Sequence, residues 1–262
     1  MDGSFDSELS MTRLSIDNKS YSSIPEVRNE SNLVYLIQNR LAFVSGNSEE
    51  IKNLKQKMSG SNVRFISSDL HHKYVPFAAD FGPVNLGVVH RFCDAFSKRL
   101  KKQSGLLVYC FESSFECQAN ASFLLSAFLV LEHGWTTTQA AAAFKSPSVP
   151  FTLRPFHDAS YHHSEGLLLE DCLRGLYRAS VIGWYARKTF DSATYDELDD
   201  PMNGDIHVIC PKFVAFKGPL FHSSQYRRNG ELTLPPSAYI RNLRMLNVTC
   251  IVRLNEADTY DR

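Results

Sequence analysis

The segment between Leu106 and Glu132 constrains the fold of this chain more than any other. Its first part, Leu106-Leu107-Val108-Tyr109, has the length and apolar composition of a buried strand. The part from Ala119 to Glu132 is strongly helical and almost entirely apolar, so it predicts a helix buried in the core, and Gly134 is predicted to end it. Upstream, strand patterns alternate with helical ones: strands at 33–37, 41–44 and 63–66, a helix with Asn47 or Ser48 as its N-cap, and a helix over 86–102. Gly105 is predicted to be the residue that ends this last helix. The alternation of strands and helices predicts an α/β fold.

Composition divides the chain into four segments. Residues 1–31 are polar and lack a hydrophobic period, which is typical of a disordered tail. Residues 32–188 are predicted to form a first α/β domain. Residues 189–205 contain six acidic residues and no Lys or Arg, and they predict an interdomain linker. Residues 206–262 are predicted to begin a second α/β unit, with strands at 207–210, 213–216 and 248–253 and a helix at 237–246.

Bulk composition argues against several classes of partner. Lys and Arg together number 28 and so do Asp and Glu, so no net charge favours nucleic acid or an anionic membrane. No apolar run reaches about 18 residues, the length expected of a membrane span. The N-terminus lacks the apolar core of a secretory signal, and six scattered cysteines read as free thiols of a reducing compartment. The adjacent pairs His71-His72 and His162-His163 do not have metal-ligand spacing, so no metal or other cofactor is expected.

The Cys-x5-Arg spacing of cysteine phosphatases occurs twice in this chain. That chemistry needs a thiolate and a guanidinium aimed at one phosphate, on a loop between a strand and a helix N-terminus. Cys93 is followed by Arg99 and Cys172 by Arg178, but both pairs lie within helical patterns. Six helical residues rotate by about 600°, which leaves the two side chains roughly 120° apart around the axis. We therefore predict that neither cysteine is a nucleophile.

A third cysteine has the expected topology with the wrong companion residue. Cys110 follows the strand at 106–109 and precedes the helix that is predicted from Ala119. The sixth residue after it is Glu116 instead of Arg, and Glu112 adds a further negative charge that would repel an anion. Two interpretations stay open: a vestigial, inactive phosphate cradle, or an ordinary strand-loop-helix unit.

A series of short strings carries a family resemblance through its order: Gln38-Asn39-Arg40-Leu41-Ala42-Phe43, Tyr74 to Leu86, Ala119 to Leu124, Pro155 to Ser160, Asp171 to Tyr177, Asn203-Gly204-Asp205, Lys212 to Phe216 and Asn247 to Asn255. Together these strings resemble the cell-division-cycle-fourteen family of dual-specificity protein phosphatases. The resemblance covers roughly 220 residues, and the order of its strings makes it more specific than any one of them. There are three departures: Met202 where the family tends to have Glu, His157 where it has Arg, and a stretch at 208–212 that is one residue shorter.

The resemblance implies a dual-specificity-phosphatase-like fold, with this chain holding the first of two tandem domains and an incomplete second one. In the family the first domain is non-catalytic and helps to form the substrate groove. The second domain carries the catalytic Cys, Arg and general-acid Asp and removes phosphate from Ser-Pro sites or tyrosine without a metal. All three groups would lie beyond Arg262, so we assign no catalytic residue and expect the chain to be inactive alone.

The same resemblance points to substrate binding by the acidic segment. In the family, acidic residues near the linker line a groove that prefers basic residues after Ser-Pro, and Asp196, Asp199 and Asp205 stand at similar positions. Clustered carboxylates would attract a basic peptide and steer it inward. The alternative is a solvated acidic linker without a ligand.

Two functional hypotheses follow. In the first, the chain is the front part of a cell-cycle phosphatase whose catalytic half was lost to truncation or to a faulty gene model. In the second, it is a short non-catalytic module that binds or scaffolds basic phosphoproteins. The missing signal peptide and the resemblance favour the nucleus or the cytoplasm, and the oligomeric state is left open.

Overall fold

The computed structural model describes residues 33–67, 74, 76, 79–158, 166–219, 225–226 and 232–254. The predicted tail at residues 1–31 lies outside these residues, and so do parts of the strings that carry the family resemblance.

A four-stranded mixed sheet organises the first part of the fold. Its strands are β1 (Val34–Ile37), β2 (Leu41–Ser45), β3 (Val63–Ser67) and β4 (Leu106–Phe111), in the spatial order β1-β2-β4-β3. β1 and β2 form an antiparallel pair, whereas β4 is parallel to both of its neighbours. Every residue of β4 is buried, as expected of a central strand that is covered on both faces.

The two faces of the sheet pack against different helices. On one face, Ala42, Val108 and Cys110 meet α1 (Ser48–Lys57), which Asn47 caps through its side chain. On the other face, Phe43 and Tyr109 pack against α2 (Leu86–Lys102) and α3 (Phe115–His133). The strand residues alternate between the faces, so the period of two in the sequence assigns each side chain to its layer.

α3 is the buried helix that the sequence predicts. Twelve consecutive residues from Ala119 to Val130 are buried, and Gly134 ends the helix in a left-handed conformation with φ 67°. The helix begins at Phe115, one turn earlier than predicted, because the Ser114 side chain accepts from the main-chain N–H of Cys117 and caps it there. The layer is completed by α4 (Thr137–Ala143) and α5 (Leu169–Val181).

The remaining elements surround a small second cluster. They are α6 (Ser192–Asp199), a 3-10 turn at Pro201–Asn203, the hairpin of β5 (Ile206–Cys210) and β6 (Phe213–Phe216), the short pair β7 (Gln225–Tyr226) and β8 (Leu232–Thr233), and α7 (Pro236–Met245). Ile206, Tyr239 and Leu243 form the buried centre of this cluster, and Leu198 of α6 packs against it. The segment that was predicted as a linker therefore contains a helix with packed apolar residues.

Two local predictions were wrong. Residues 248–253, predicted as a strand, have no regular structure, and no strand among the described residues pairs with them to supply ladder hydrogen bonds. Gly105 does not end α2, since Gln103 is the C-cap residue. Gly105 instead allows a close approach, because a Cβ there would lie 1.9 Å from the main-chain oxygen of Asn62.

Candidate functional site

The predicted substrate-binding residues Asp196, Asp199 and Asp205 are called the acidic surface below. Asp196 and Asp199 are three residues apart on α6, so both project from one side of that helix. The helix starts where it does because the Asp191 side chain accepts from the main-chain N–H groups of Ala193 and Thr194. One acidic residue of the segment, Asp191, therefore has a structural role as a helix cap, separate from the predicted binding role of the acidic surface.

α6 lies against the first turns of α2, and glycine permits the close contact. A Cβ at Gly87 would lie 2.9 Å from both Asp196 Oδ1 and Tyr195 Cδ1. The ring of Tyr195 packs on Phe190, with ring centroids 5.4 Å apart. These contacts hold α6 against α2, so the carboxylates are held on an ordered element.

Asp196 is paired with a cation that local sequence did not reveal. Its Oδ2 lies 2.5 Å from Arg91 Nη1, and Arg91 belongs to α2. Both side chains are nearly half exposed, so the pair contributes no more than about 1 kcal/mol to stability. Residues 189–205 contain no Lys or Arg, but Arg91 of α2 supplies a positive charge next to the acidic surface.

Asp199 is the carboxylate of the acidic surface that is most affected by burial. It accepts a hydrogen bond of 2.9 Å from Asn85 Nδ2, at the start of α2. Burial is the main reason that its pKa is raised above the usual Asp value, and the nearby charges of Asp205 and Asp196 act in the same direction. His207 and the Asn85 hydrogen bond oppose this rise without cancelling it.

Asp205 occupies a left-handed backbone conformation just before β5. Its φ is 48°, which Asp tolerates better than most residues, and the preceding Gly204 has φ 108°. The main-chain N–H of Asp205 donates to the carbonyl of Asp200, and Lys217 N–H donates to the carbonyl of Asp205. This tight connection turns the Asp205 carboxylate back toward α6.

His207 lies between the two carboxylates, and sequence reasoning did not assign it a role. Its Nε2–H donates to Asp205 Oδ1 at 2.9 Å, and Nε2 is 3.5 Å from Asp199 Oδ1. The hydrogen bond to Asp205 is the main reason that the pKa of His207 is raised, with the charges of both carboxylates adding to it. His207 lies two residues after Asp205 in the sequence. This spacing indicates a contact between them only when both are known to lie around the start of β5.

Asp199, Asp205 and His207 also form the one group in the described part of the chain whose donor atoms are close enough together to hold a metal ion. Their ligand atoms all lie within 4.8 Å of one another. A structural zinc site has four protein ligands, and here one of the three donors already takes part in a direct imidazole–carboxylate hydrogen bond. The geometry fits proton sharing between His207 and the carboxylates better than a closed metal site.

The cysteines that match the phosphatase spacing are not activated. Cys93 is fully buried in α2 and Cys172 lies within α5, as predicted. Burial raises the pKa of the Cys93 thiol to about 12 and that of Cys172 to about 11. A nucleophilic cysteine needs the opposite change, since the thiolate is the reactive form.

Cys110 does not face a phosphate cradle. Its side chain lies in the apolar cluster beneath α1, and burial raises its pKa to about 11. Only Glu112, Ser113 and Ser114 separate β4 from α3, so the position that would hold the catalytic Arg, Glu116, is already in the first helical turn. The structure favours an ordinary strand-loop-helix unit at this place.

The structure has a layered α/β architecture, and both cysteines with the Cys-x5-Arg spacing lie within helices, so the described residues contain no phosphatase catalytic loop. The family model for the N-terminal half of dual specificity protein phosphatases matches residues 35–179. The chain belongs to this family, as the order of its sequence strings predicted. Within the described residues, no helix is both long and apolar enough to cross a membrane.

Curated relatives narrow the family to the cell-division-cycle-fourteen phosphatases. The chain is 37% identical over 200 residues to dual specificity protein phosphatase CDC14A of Mus musculus, an alignment that covers 74% of this chain and 33% of that protein. It is 31% identical over 247 residues to CDC14B of Mus musculus, covering 91% and 49%. It is 29% identical over 189 residues to tyrosine-protein phosphatase CDC14 of Saccharomyces cerevisiae, covering 70% and 34%. The chain therefore spans between a third and a half of the length of these relatives.

Proposed function

We propose that this chain supplies the non-catalytic N-terminal domain of a dual-specificity protein phosphatase that acts on phospho-Ser-Pro and phosphotyrosine proteins. In this role its acidic surface binds basic residues that follow the phosphorylated site. The family and the named relatives support the class of enzyme. The proposal also includes a domain boundary near residue 205, a cell-cycle role, and residence in the nucleus or the cytoplasm.

The observation that carries the binding role is the convergence of Asp199 and Asp205. Asp199 ends α6 and Asp205 lies six positions later, just before β5, yet both carboxylates lie within hydrogen-bond or ion-pair distance of one imidazole. About a third of each carboxylate side chain is exposed, at 30% and 32%, so a peptide can reach them. A site that already accommodates one cation between two carboxylates has the chemistry to bind a Lys or Arg side chain.

Binding of paired peptides to the 262-residue chain tests this role. One peptide carries phosphoserine-proline followed by Lys and Arg, and the other has Gln in place of both basic residues. Fluorescence anisotropy at low salt should show that the basic peptide binds about tenfold more tightly, and higher salt should reduce the difference. Equal affinities for the two peptides would contradict the proposal that the acidic surface binds basic residues.

Two matched variants locate the interaction. Asp199→Asn should weaken binding of the basic peptide about fivefold while leaving the Gln peptide unchanged. Glu197→Gln removes one charge from the same helix at an exposed position on a different side, and should leave both affinities unchanged. Equal losses in the two variants would indicate a diffuse field around the helix instead of a defined site.

A further inference from the structure

The carboxylates alone explain why the acidic surface attracts cations. His207 nevertheless lies between two of them, Asp199 and Asp205. The imidazole of His207 is held by Asp205, which lies just before β5, and it faces Asp199 of α6. When it is protonated, it already supplies the positive charge that a basic peptide would bring. A peptide cation and the imidazolium therefore compete for the same two carboxylates.

We propose that His207 is an internal competitor for the basic segment of a substrate, and that the acidic surface binds this segment more tightly when the imidazole is neutral. This inference rests on the proposed function, since it concerns the same carboxylates. The binding step is an exchange of one cation for another, with release of the imidazole proton to solvent. The affinity for a basic peptide then depends on pH through this one side chain.

The surroundings of His207 support this assignment. Its side chain is 31% exposed, so water and a peptide reach it and the proton can leave. In the β-ladder it stands opposite Ala215 of β6, which offers no charged or hydrogen-bonding side chain. The titratable groups around it are the carboxylates Asp199 and Asp205, the ring of Tyr195 with its centroid 5.8 Å from the imidazole, and, next to these, Asp196 with its partner Arg91, Tyr239 and Lys217.

The direction of the pH effect follows from these groups. The ordinary His pKa is 6.5, and in the fold the pKa of His207 is raised, so the imidazole keeps its proton to a higher pH than an ordinary histidine does. Raising the pH through this pKa removes the resident cation and leaves both carboxylates available. Asp199, whose own pKa is raised, also gains its charge as the pH rises, but it does so in a more acidic range. Affinity for a basic peptide therefore increases from mildly acidic to mildly alkaline pH.

The test uses an unphosphorylated Ser-Pro peptide with Lys and Arg, because a phosphate group would itself titrate in the same range. Its affinity for the full chain is measured from about pH 6 to about pH 9, where Lys and Arg stay charged. The wild-type chain should bind about fivefold more tightly at the alkaline end. His207→Gln should bind at the acidic end as tightly as the wild type does at the alkaline end, without further pH dependence.

A matched control and a second measurement separate competition from a structural role. His157→Gln removes an exposed histidine elsewhere and should keep the wild-type pH profile. NMR titration of the His207 ring should show that bound peptide lowers its pKa by about 0.7, the equivalent of a fivefold change in affinity, because linkage is reciprocal. A merely structural histidine would keep the same pKa with and without peptide.

The outcomes distinguish this inference from the function on which it rests. Tight, pH-independent binding to the wild-type chain, with an unchanged His207 pKa, would overturn the competition and leave the proposed binding role intact. No preference for the basic peptide at any pH, in the wild type and in His207→Gln alike, would overturn both. A His207→Gln chain that binds the peptide more weakly than the wild type at acidic pH would show that His207 assists binding, which also contradicts the proposal.

Discussion

Arg91 of α2 and Asp196 of α6 are 105 residues apart in sequence and form an ion pair with 2.5 Å between Nη1 and Oδ2. The pair joins the segment that was predicted as a linker to α2. Asp196 also lies beside Gly87, where a Cβ would be only 2.9 Å from Asp196 Oδ1. The charge of Asp196 is thus partly balanced within the chain before any ligand arrives.

Replacing Arg91 with Gln should lower the stability of the chain slightly and raise its affinity for a basic peptide. We expect the free energy of unfolding to fall by less than about 1 kcal/mol, because both side chains are nearly half exposed and water screens the pair. The affinity for a basic peptide should rise about twofold to fivefold, because the Asp196 carboxylate no longer has Arg91 as its cationic partner. Chemical denaturation and peptide anisotropy on the same sample measure both effects, and an Arg91→Gln chain with weaker peptide binding would contradict the assignment of Asp196.

Arg187 offers a contrasting case, because its ion pairs are more buried. Its guanidinium lies 2.5 Å from Glu132 Oε1 and 2.9 Å from Asp94 Oδ1, and its side chain is only 22% exposed. Arg187→Gln would leave the equally buried Glu132 carboxylate without its charged partner. We expect a loss of about 2–3 kcal/mol in the free energy of unfolding, several times that of Arg91→Gln, by urea denaturation. Similar losses in the two variants would show that burial does not separate these pairs.

The sequence predicted the elements better than the contacts between them. Local signals such as the Asn47 cap, the apolar run through Leu125 and the glycine at 134 act within a few residues, and each appears in the structure as expected. The partners of the acidic residues could not be predicted in this way. Arg91 reaches Asp196 only through the packing of α6 on α2, and His207 reaches Asp199 only through the turn at Asp205.

Two histidines should give stability opposite dependences on pH. Burial, followed by the charge of Arg187, lowers the pKa of His90 below 6.5, so its contribution is complete above pH 6.5 and is lost as the pH falls. The pKa of His207 is raised, so its contribution is complete below pH 6.5 and is lost as the pH rises through the folded-state pKa. Urea denaturation across this range should therefore show greatest stability near pH 6.5.

Single variants assign each side of that pH profile. His90→Gln should lessen the decline on the acidic side, where His133, whose pKa is also lowered by burial, contributes as well. His207→Gln should flatten the decline on the alkaline side. Each variant should leave the other side largely unchanged, because the rings of Phe190 and Tyr195 lie between the two histidines. A decline at alkaline pH that persists in His207→Gln would mean that another group titrates there.

The chain by itself should lack phosphatase activity. The thiols of Cys93 and Cys172 have pKa values raised to about 12 and about 11 by burial, so neither forms a useful fraction of thiolate near neutral pH. Phosphate release from a phosphotyrosine and a phospho-Ser-Pro peptide should equal the background without protein, and Cys172→Ser should give the same value. Turnover that Cys172→Ser abolishes would place a catalytic site in the first domain.

Ending the chain after Asp205 should improve its solubility. The segment that follows exposes large apolar side chains, including Phe213 at 68% and Val252 at 74%, and the edges of the β5–β6 hairpin offer further sites for association. Removal also takes Ile206 away from Leu198, which packs against it in the full chain. A chain that ends after Val248 is the control, because it keeps the Ile206 cluster and loses the exposed side chains of Ile251, Val252 and Leu254. Light scattering and the soluble yield should rank the chain ending at Asp205 first, the control second and the full chain last; if the shortest chain is the least soluble, the domain boundary lies elsewhere.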